Sequence, residues 1–112
     1  MNPSVERIAE IESLFRNVNE RIATAAVNYE VESAEFYCEC HDPACGARVT
    51  VPLDEYEDVR AESTLFVHAP DHVEPEFERV VDETPRYTVV RKVGRRLAEI
   101  VRRLDPRRPA AG

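Results

Sequence analysis

Apolar residues in the first 29 positions recur three and four apart, at Ile8, Ile11, Phe15, Val18, Ile22, Ala25 and Tyr29. That period marks one long helix carrying an a/d stripe of about three heptads, the lower limit for a coiled coil. Asn2 is placed to cap it and Pro3 to fill its first position, where a missing N–H costs nothing. Glu6, Arg7, Glu10, Glu12, Arg16, Asn17, Glu20 and Arg21 fall on the other faces. The stripe covers either a sheet of its own chain or a second copy of the helix, the latter making a homodimer.

The period then shortens to two. Phe36, Cys38 and Cys40 share one face, with Tyr37 and Glu39 opposite; Ala47, Val49 and Val51 share another, with Arg48 and Thr50 outward. The turn-rich stretch 41–46 between them predicts a hairpin, and Pro52, without an N–H, is expected to end it. Residues 54–61 read as a short helix, with Asp54 and Glu55 in its first turn and Leu53, Tyr56 and Val59 inward. Residues 65–68 read as a short buried strand. Pro75 is expected to open a helical segment with Phe77, Val80 and Val81 on one face. Residues 86–92 form a strand by propensity, and a last helix spans 94–104 with Leu97, Ile100, Val101 and Leu104 inward.

The length of 112 residues allows one domain, and 43% hydrophobic with 33% charged residues describes an ordinary globular chain. Neither an apolar run of membrane-spanning length nor a signal-peptide pattern at Met1 to Glu6 is present, so a cytoplasmic protein without a membrane partner is expected. The net charge of −7 hides a split: residues 1–85 hold 20 acids against 6 bases, and residues 86–112 hold 9 bases against 2 acids. A basic end of this kind meets its own acidic body or an anionic partner. Arg95, Arg96, Arg102 and Arg103 on the last helix are the candidate contacts to such an anion or nucleic acid.

All three cysteines fall within eight residues, Cys38-Glu-Cys40-His-Asp-Pro-Ala-Cys45. Buried structural cysteines would be scattered, whereas zinc takes four thiolate or imidazole ligands from turns where the chain doubles back. Gly46 supplies the tight turn. A disulfide would leave an odd thiol in a reducing compartment, an iron–sulfur cluster would want a fourth cysteine, and a cysteine nucleophile would want an oriented histidine. The fourth ligand is expected from the three histidines, with His72 in a turn ahead of His68 in an apolar strand and of His41 beside Cys40. Water, Asp42 or a second chain are the other candidates. Cys38, Cys40, Cys45 and His72 are thus the predicted metal ligands.

Phe15-Arg16-Asn17-Val18-Asn19-Glu20-Arg21-Ile22, the Phe36 to Cys45 knuckle with Asp42-Pro43, Glu55-Tyr56, Val59-Arg60, and Phe66-Val67 before Pro70-Asp71-His72 form a distinctive set. In these motifs, over residues 15–92, the chain resembles a family of small, largely uncharacterised actinobacterial proteins. In that family the last motif commonly reads Pro-Gly-His; Asp71 departs from it and His72 keeps its place. The resemblance implies His72 as a ligand and carries no activity with it. The Arg-rich last helix is less typical of it.

The sequence holds no Gly-rich phosphate loop and no His-Glu-x-x-His helix, and its many acids are expected at the surface, so no enzyme is predicted and no catalytic residue is assigned. The expected fold is α+β: a small, mainly antiparallel sheet with a zinc knuckle at one hairpin, a long N-terminal helix and a basic C-terminal helix. Residues 1–104 would form the domain and 105–112 a disordered tail. The expected function is a structural-zinc regulatory or adaptor module working through protein–protein contacts. Nucleic-acid binding by the Arg-rich helix is the alternative, opposed by the acidic body and by the lack of aromatic residues among those arginines.

Overall fold

The computed structural model describes residues 4–107. Along the chain it forms α1 (Val5–Asn28), β1 (Ser33–Tyr37), β2 (Arg48–Pro52), α2 (Leu53–Arg60), β3 (Leu65–His68), β4 (Glu78–Glu83), β5 (Thr88–Lys92) and α3 (Arg95–Arg103). The architecture is α+β, with two small antiparallel sheets where one was expected: β1-β2, and a second in the order β3-β5-β4. β1 and β2 pair from Ser33↔Pro52 to Tyr37↔Arg48, so the knuckle sits at the closed end of their hairpin.

Ser4 caps α1, its hydroxyl accepting from the Arg7 N–H at 3.1 Å; Asn2 and Pro3 lie outside the described residues. At the other end Glu30 takes φ 57°, and the N–H groups of Glu30 and Val31 return to the carbonyls of Val27 and Ala26. That pattern closes the helix with a left-handed cap.

The buried face of α1 is not the expected a/d stripe. Ile8, Ala9, Glu12, Ser13, Arg16, Asn19, Ala23 and Ala26 face inward, about 120° around the helix from the line through Ile11 and Val18. The helix buries Glu12, Arg16 and Asn19 because each finds a fixed partner in the core. Ile11, Phe15 and Ile22 are left half-buried at the margin.

The segment after Pro75 is also not a helix. Residues 75–77 make a turn closed by Phe77 N–H to the Glu74 carbonyl at 3.0 Å, and the chain then pairs with β5 from Glu78↔Lys92 to Glu83↔Thr88. Two adjacent β-branched residues and an available ladder on β5 outweigh the three-and-four spacing of Phe77, Val80 and Val81. A bulge between Val80 and Asp82 leaves both valines outward, while Glu78 is the buried residue of the strand.

Two apolar clusters meet along α1. One gathers Phe36, Val49, Val51, Tyr56, Val59, Val67 and Val89 around the hairpin and α2, with Phe36 stacked on Tyr56 at 4.2 Å between ring centroids. The other joins Ile8 and Ala9 to Phe66, Val90, Leu97, Ile100 and Val101 beneath α3. Between them lies a polar seam. Arg16, fully buried, donates to the carbonyls of Ser63 at 2.6 Å and Val101 at 2.7 Å, with its guanidinium 4.4 Å from the Phe66 ring centroid. Arg60 donates to Glu20 and Asp105, each at 2.5 Å. Asp105, where the expected tail begins, is buried against Arg60 and Ser63. Arg107 forms a two-pronged pair with Glu57 at 2.6 and 2.9 Å, and residues 108–112 lie outside the described part.

Candidate metal centre

The knuckle is a turn held from within. The Asp42 carboxylate accepts from the Ala44 N–H at 2.9 Å, and the Cys45 N–H reaches the Asp42 carbonyl at 3.0 Å. Gly46 follows with φ 59°, the left-handed conformation expected of a glycine here. Opposite the knuckle, the His72 N–H bonds the Ala69 carbonyl at 3.2 Å, and Asp71 takes φ 66°. Glycine adopts that conformation at no steric cost; aspartate is among the few other residues that tolerate it.

These two turns bring Cys38, Cys40, Cys45 and His72 together, with one donor atom from each lying within 4.8 Å of all the others. His72 Nδ1 is 3.3 Å from the Cys45 sulfur and 3.6 Å from the Cys38 sulfur. A tetrahedral ion with metal–sulfur bonds of about 2.3 Å and a metal–nitrogen bond of about 2.0–2.1 Å sets sulfur–nitrogen edges at about 3.5 Å. The four residues are positioned to hold a metal ion.

Backbone N–H groups aim at the sulfurs, as thiolates require: Ala69 N–H meets Cys38 at 3.1 Å, Asp42 N–H meets Cys40 and Ala47 N–H meets Cys45. A hydrogen bond from the Cys38 thiol pulls Cys40 down to about 5 and pushes Cys38 upward, while burial raises Cys45. One sulfur in the trio therefore carries the first negative charge.

Chain comparisons with protein families, curated proteins and solved structures give no match. The centre is read from its own geometry.

The other candidate ligands are engaged elsewhere. His41 lies edge-on to Phe77 with 6.3 Å between centroids, and Asp42 builds the knuckle turn. His68 is 1% exposed and stands behind the centre: its Nδ1 is 3.0 Å from the His72 carbonyl, and its Nε2 is 3.2 Å from the Lys92 ammonium. Burial, then the Lys92 charge, hold His68 well below the usual histidine range. It is neutral, so Nδ1 carries the proton and donates to His72 while Nε2 accepts from Lys92.

Lys92, the only lysine in the chain, is 2% exposed and also donates to Glu12 at 2.7 Å and to Glu78. Glu78 in turn accepts from the Glu74 N–H at 2.7 Å, fixing the far end of the His72 loop. The donors of Glu12, His68 and Glu78 converge as a metal site's would, but the Lys92 ammonium is the cation they surround.

Glu39 completes the support and corrects the alternation read from the sequence. β1 ends at Tyr37, so Cys38, Glu39 and Cys40 are all buried instead of alternating in and out. The Glu39 carboxylate accepts from the Asn19 amide at 2.8 Å and from the Val67 N–H at 2.9 Å. Burial raises its pKa, and these two donors oppose the rise.

Of the four arginines proposed for an anion, Arg96 pairs with Glu6 at 3.1 Å and Arg95 approaches Glu99 at 3.9 Å. Arg102 and Arg103 are exposed on α3. Much of the basic end meets the chain's own acids. The sequence reading missed Glu12, Asn19, Glu39, Glu78 and Lys92, and the one available signal was a lone lysine in a chain that otherwise uses arginine.

Proposed function

We propose that the chain is a small structural-zinc module that serves as a regulatory or adaptor element through protein–protein contact, and that it is not an enzyme. The closed Cys38, Cys40, Cys45 and His72 group carries this reading. Three thiolates and an imidazole suit zinc, and four protein ligands leave no position for a reacting water. A chain this small gains much from such a site, since structural zinc contributes about 10 kcal/mol or more to folding. The soft, N–H-supported sulfurs and the reducing compartment expected for free thiols support the same assignment. Exposed apolar residues on α1, Leu14 and Val18, support the contact role. No helix among the described residues is long and apolar enough to cross a membrane.

The test is metal analysis of the purified full chain with its mass under native conditions. One zinc per chain is expected, lost in Cys38→Ser and Cys45→Ser. A metal-free wild type with the thermal stability of those variants overturns the assignment. Retention of zinc together with zinc-dependent hydrolysis of a simple ester overturns the non-catalytic reading.

A further inference from the structure

With its polar-seamed face already packed, α1 presents a second, outer face. Leu14 is 61% and Val18 37% exposed, and Tyr29 at the end of the helix is 81% exposed. At about 100° per residue, Ile11, Leu14, Val18, Ala25 and Tyr29 fall within about 60° of the helix circumference, a sector that exposed Arg7 shares in the first turn. Glu10 and Arg21 lie on one flank of that band, within about 20° of each other, and both are exposed. Neither has an ion partner among the described residues.

A two-fold axis across an antiparallel helix pair sets like flank against like flank. Placed level with Arg16, it puts Leu14 against the partner's Val18 and Glu10 beside the partner's Arg21, and symmetry repeats both contacts. Arg16 is close to the midpoint of Val5–Asn28, so this register overlaps the two helices along nearly all of their length of about 36 Å. The apolar band and the opposite charges thus match their own reversed copy.

We propose that the outer face of α1 is the interface of a symmetric antiparallel homodimer. This names the partner in the contact role proposed above and needs no metal. The face differs from the stripe that sequence periodicity favours: Ile8 belongs to the chain's own core, and Leu14, outside the a/d pattern, sits in the contact.

Sedimentation equilibrium of the full chain tests it, with zinc content read on the same samples. The wild type is expected at twice 12.8 kDa. Leu14→Glu with Val18→Glu changes exposed side chains only, and is expected to give a monomer with unchanged circular dichroism and zinc content. Glu10→Arg should raise the dimer dissociation constant about tenfold, the weight of two rim ion pairs, and adding Arg21→Glu should restore it. A wild-type monomer at millimolar concentration overturns the dimer and leaves the metal assignment standing. A dimer without zinc upholds the dimer and overturns the metal assignment. A dimer that survives the Leu14 and Val18 changes, or a charge swap that fails to restore affinity, also overturns this interface.

Discussion

Replacing Glu12 by Gln should change how stability depends on pH. Glu12 on α1 faces Lys92 on β5, with Glu78 on β4 and neutral His68 on β3 completing the cluster and Cys40 nearby. One buried ammonium between two buried carboxylates leaves an excess negative charge, which a proton on one carboxyl removes. Burial raises Glu12 from 4.5 to about 7; Glu78 and Cys40 add to the rise and Lys92 opposes it. A carboxyl whose folded pKa exceeds its unfolded value contributes stability that is complete below about 4.5 and is lost as pH rises through about 7. The gap corresponds to about 3 kcal/mol. Gln resembles the protonated acid and does not titrate. Its amide N–H lands where Glu12 Oε1 has no hydrogen-bond partner, a pH-independent cost of about 1 kcal/mol. Urea unfolding of wild type and variant in saturating zinc, at matched points from about pH 5 to about pH 8, isolates the effect because the metal contribution cancels in the difference. The variant should gain about 2.5 kcal/mol on the wild type across that range, the part of the gap that develops between those pH values. A difference that stays flat with pH refutes the charge assignment of the cluster.

Cys40→Ser should release the metal and lower the melting temperature, read by metal analysis and calorimetry; an unchanged melting curve would remove the centre's structural role. His72→Ala should cost more zinc affinity in a chelator competition than His41→Ala. His68→Leu should cost about 10–100-fold by freeing the His72 carbonyl, with His68→Asn recovering part of it through its side-chain N–H. Asp71→Gly should be neutral or stabilising by up to about 1 kcal/mol in urea unfolding, and Asp71→Val destabilising, because φ is 66° there. Equal stabilities of these two variants would contradict that backbone geometry.

The knuckle was legible because its three thiols lie close in sequence and glycine and aspartate mark the turn between them. His72 was legible because it lies in a turn next to a strand. Patterns of apolar residues failed where burial is polar. Glu12, Arg16 and Asn19 read as surface, yet each is buried against a partner 18 to 85 residues away, which no local period encodes. β4 was misread for a related reason. Phe77, Val80 and Val81 have helical spacing, and only the open ladder of β5 and the anchor from Glu78 to Lys92 turn the segment into a strand. The charge split was plain in the sequence, but its resolution needed Arg107 on Glu57 and Arg96 on Glu6.

Asn19 and Glu39 also shape how the protein behaves in a crowded solution. The Asn19 side chain bonds both the N–H and the carbonyl of Tyr37, as a neighbouring strand would. Glu39 does the same for Val67, its backbone N–H meeting the Val67 carbonyl at 2.9 Å and its carboxylate accepting the Val67 N–H. At these rungs, the Asn19 amide and the Glu39 carboxylate and backbone N–H occupy groups of β1 and β3 that would otherwise template another chain. β4, at the other edge of its sheet, carries a bulge and the charged Arg79, Asp82 and Glu83, which discourage strand addition there. The polar residues that brace the knuckle therefore also guard against aggregation. Without the Asn19 amide, the N–H and carbonyl of Tyr37 would stand open on the edge of β1.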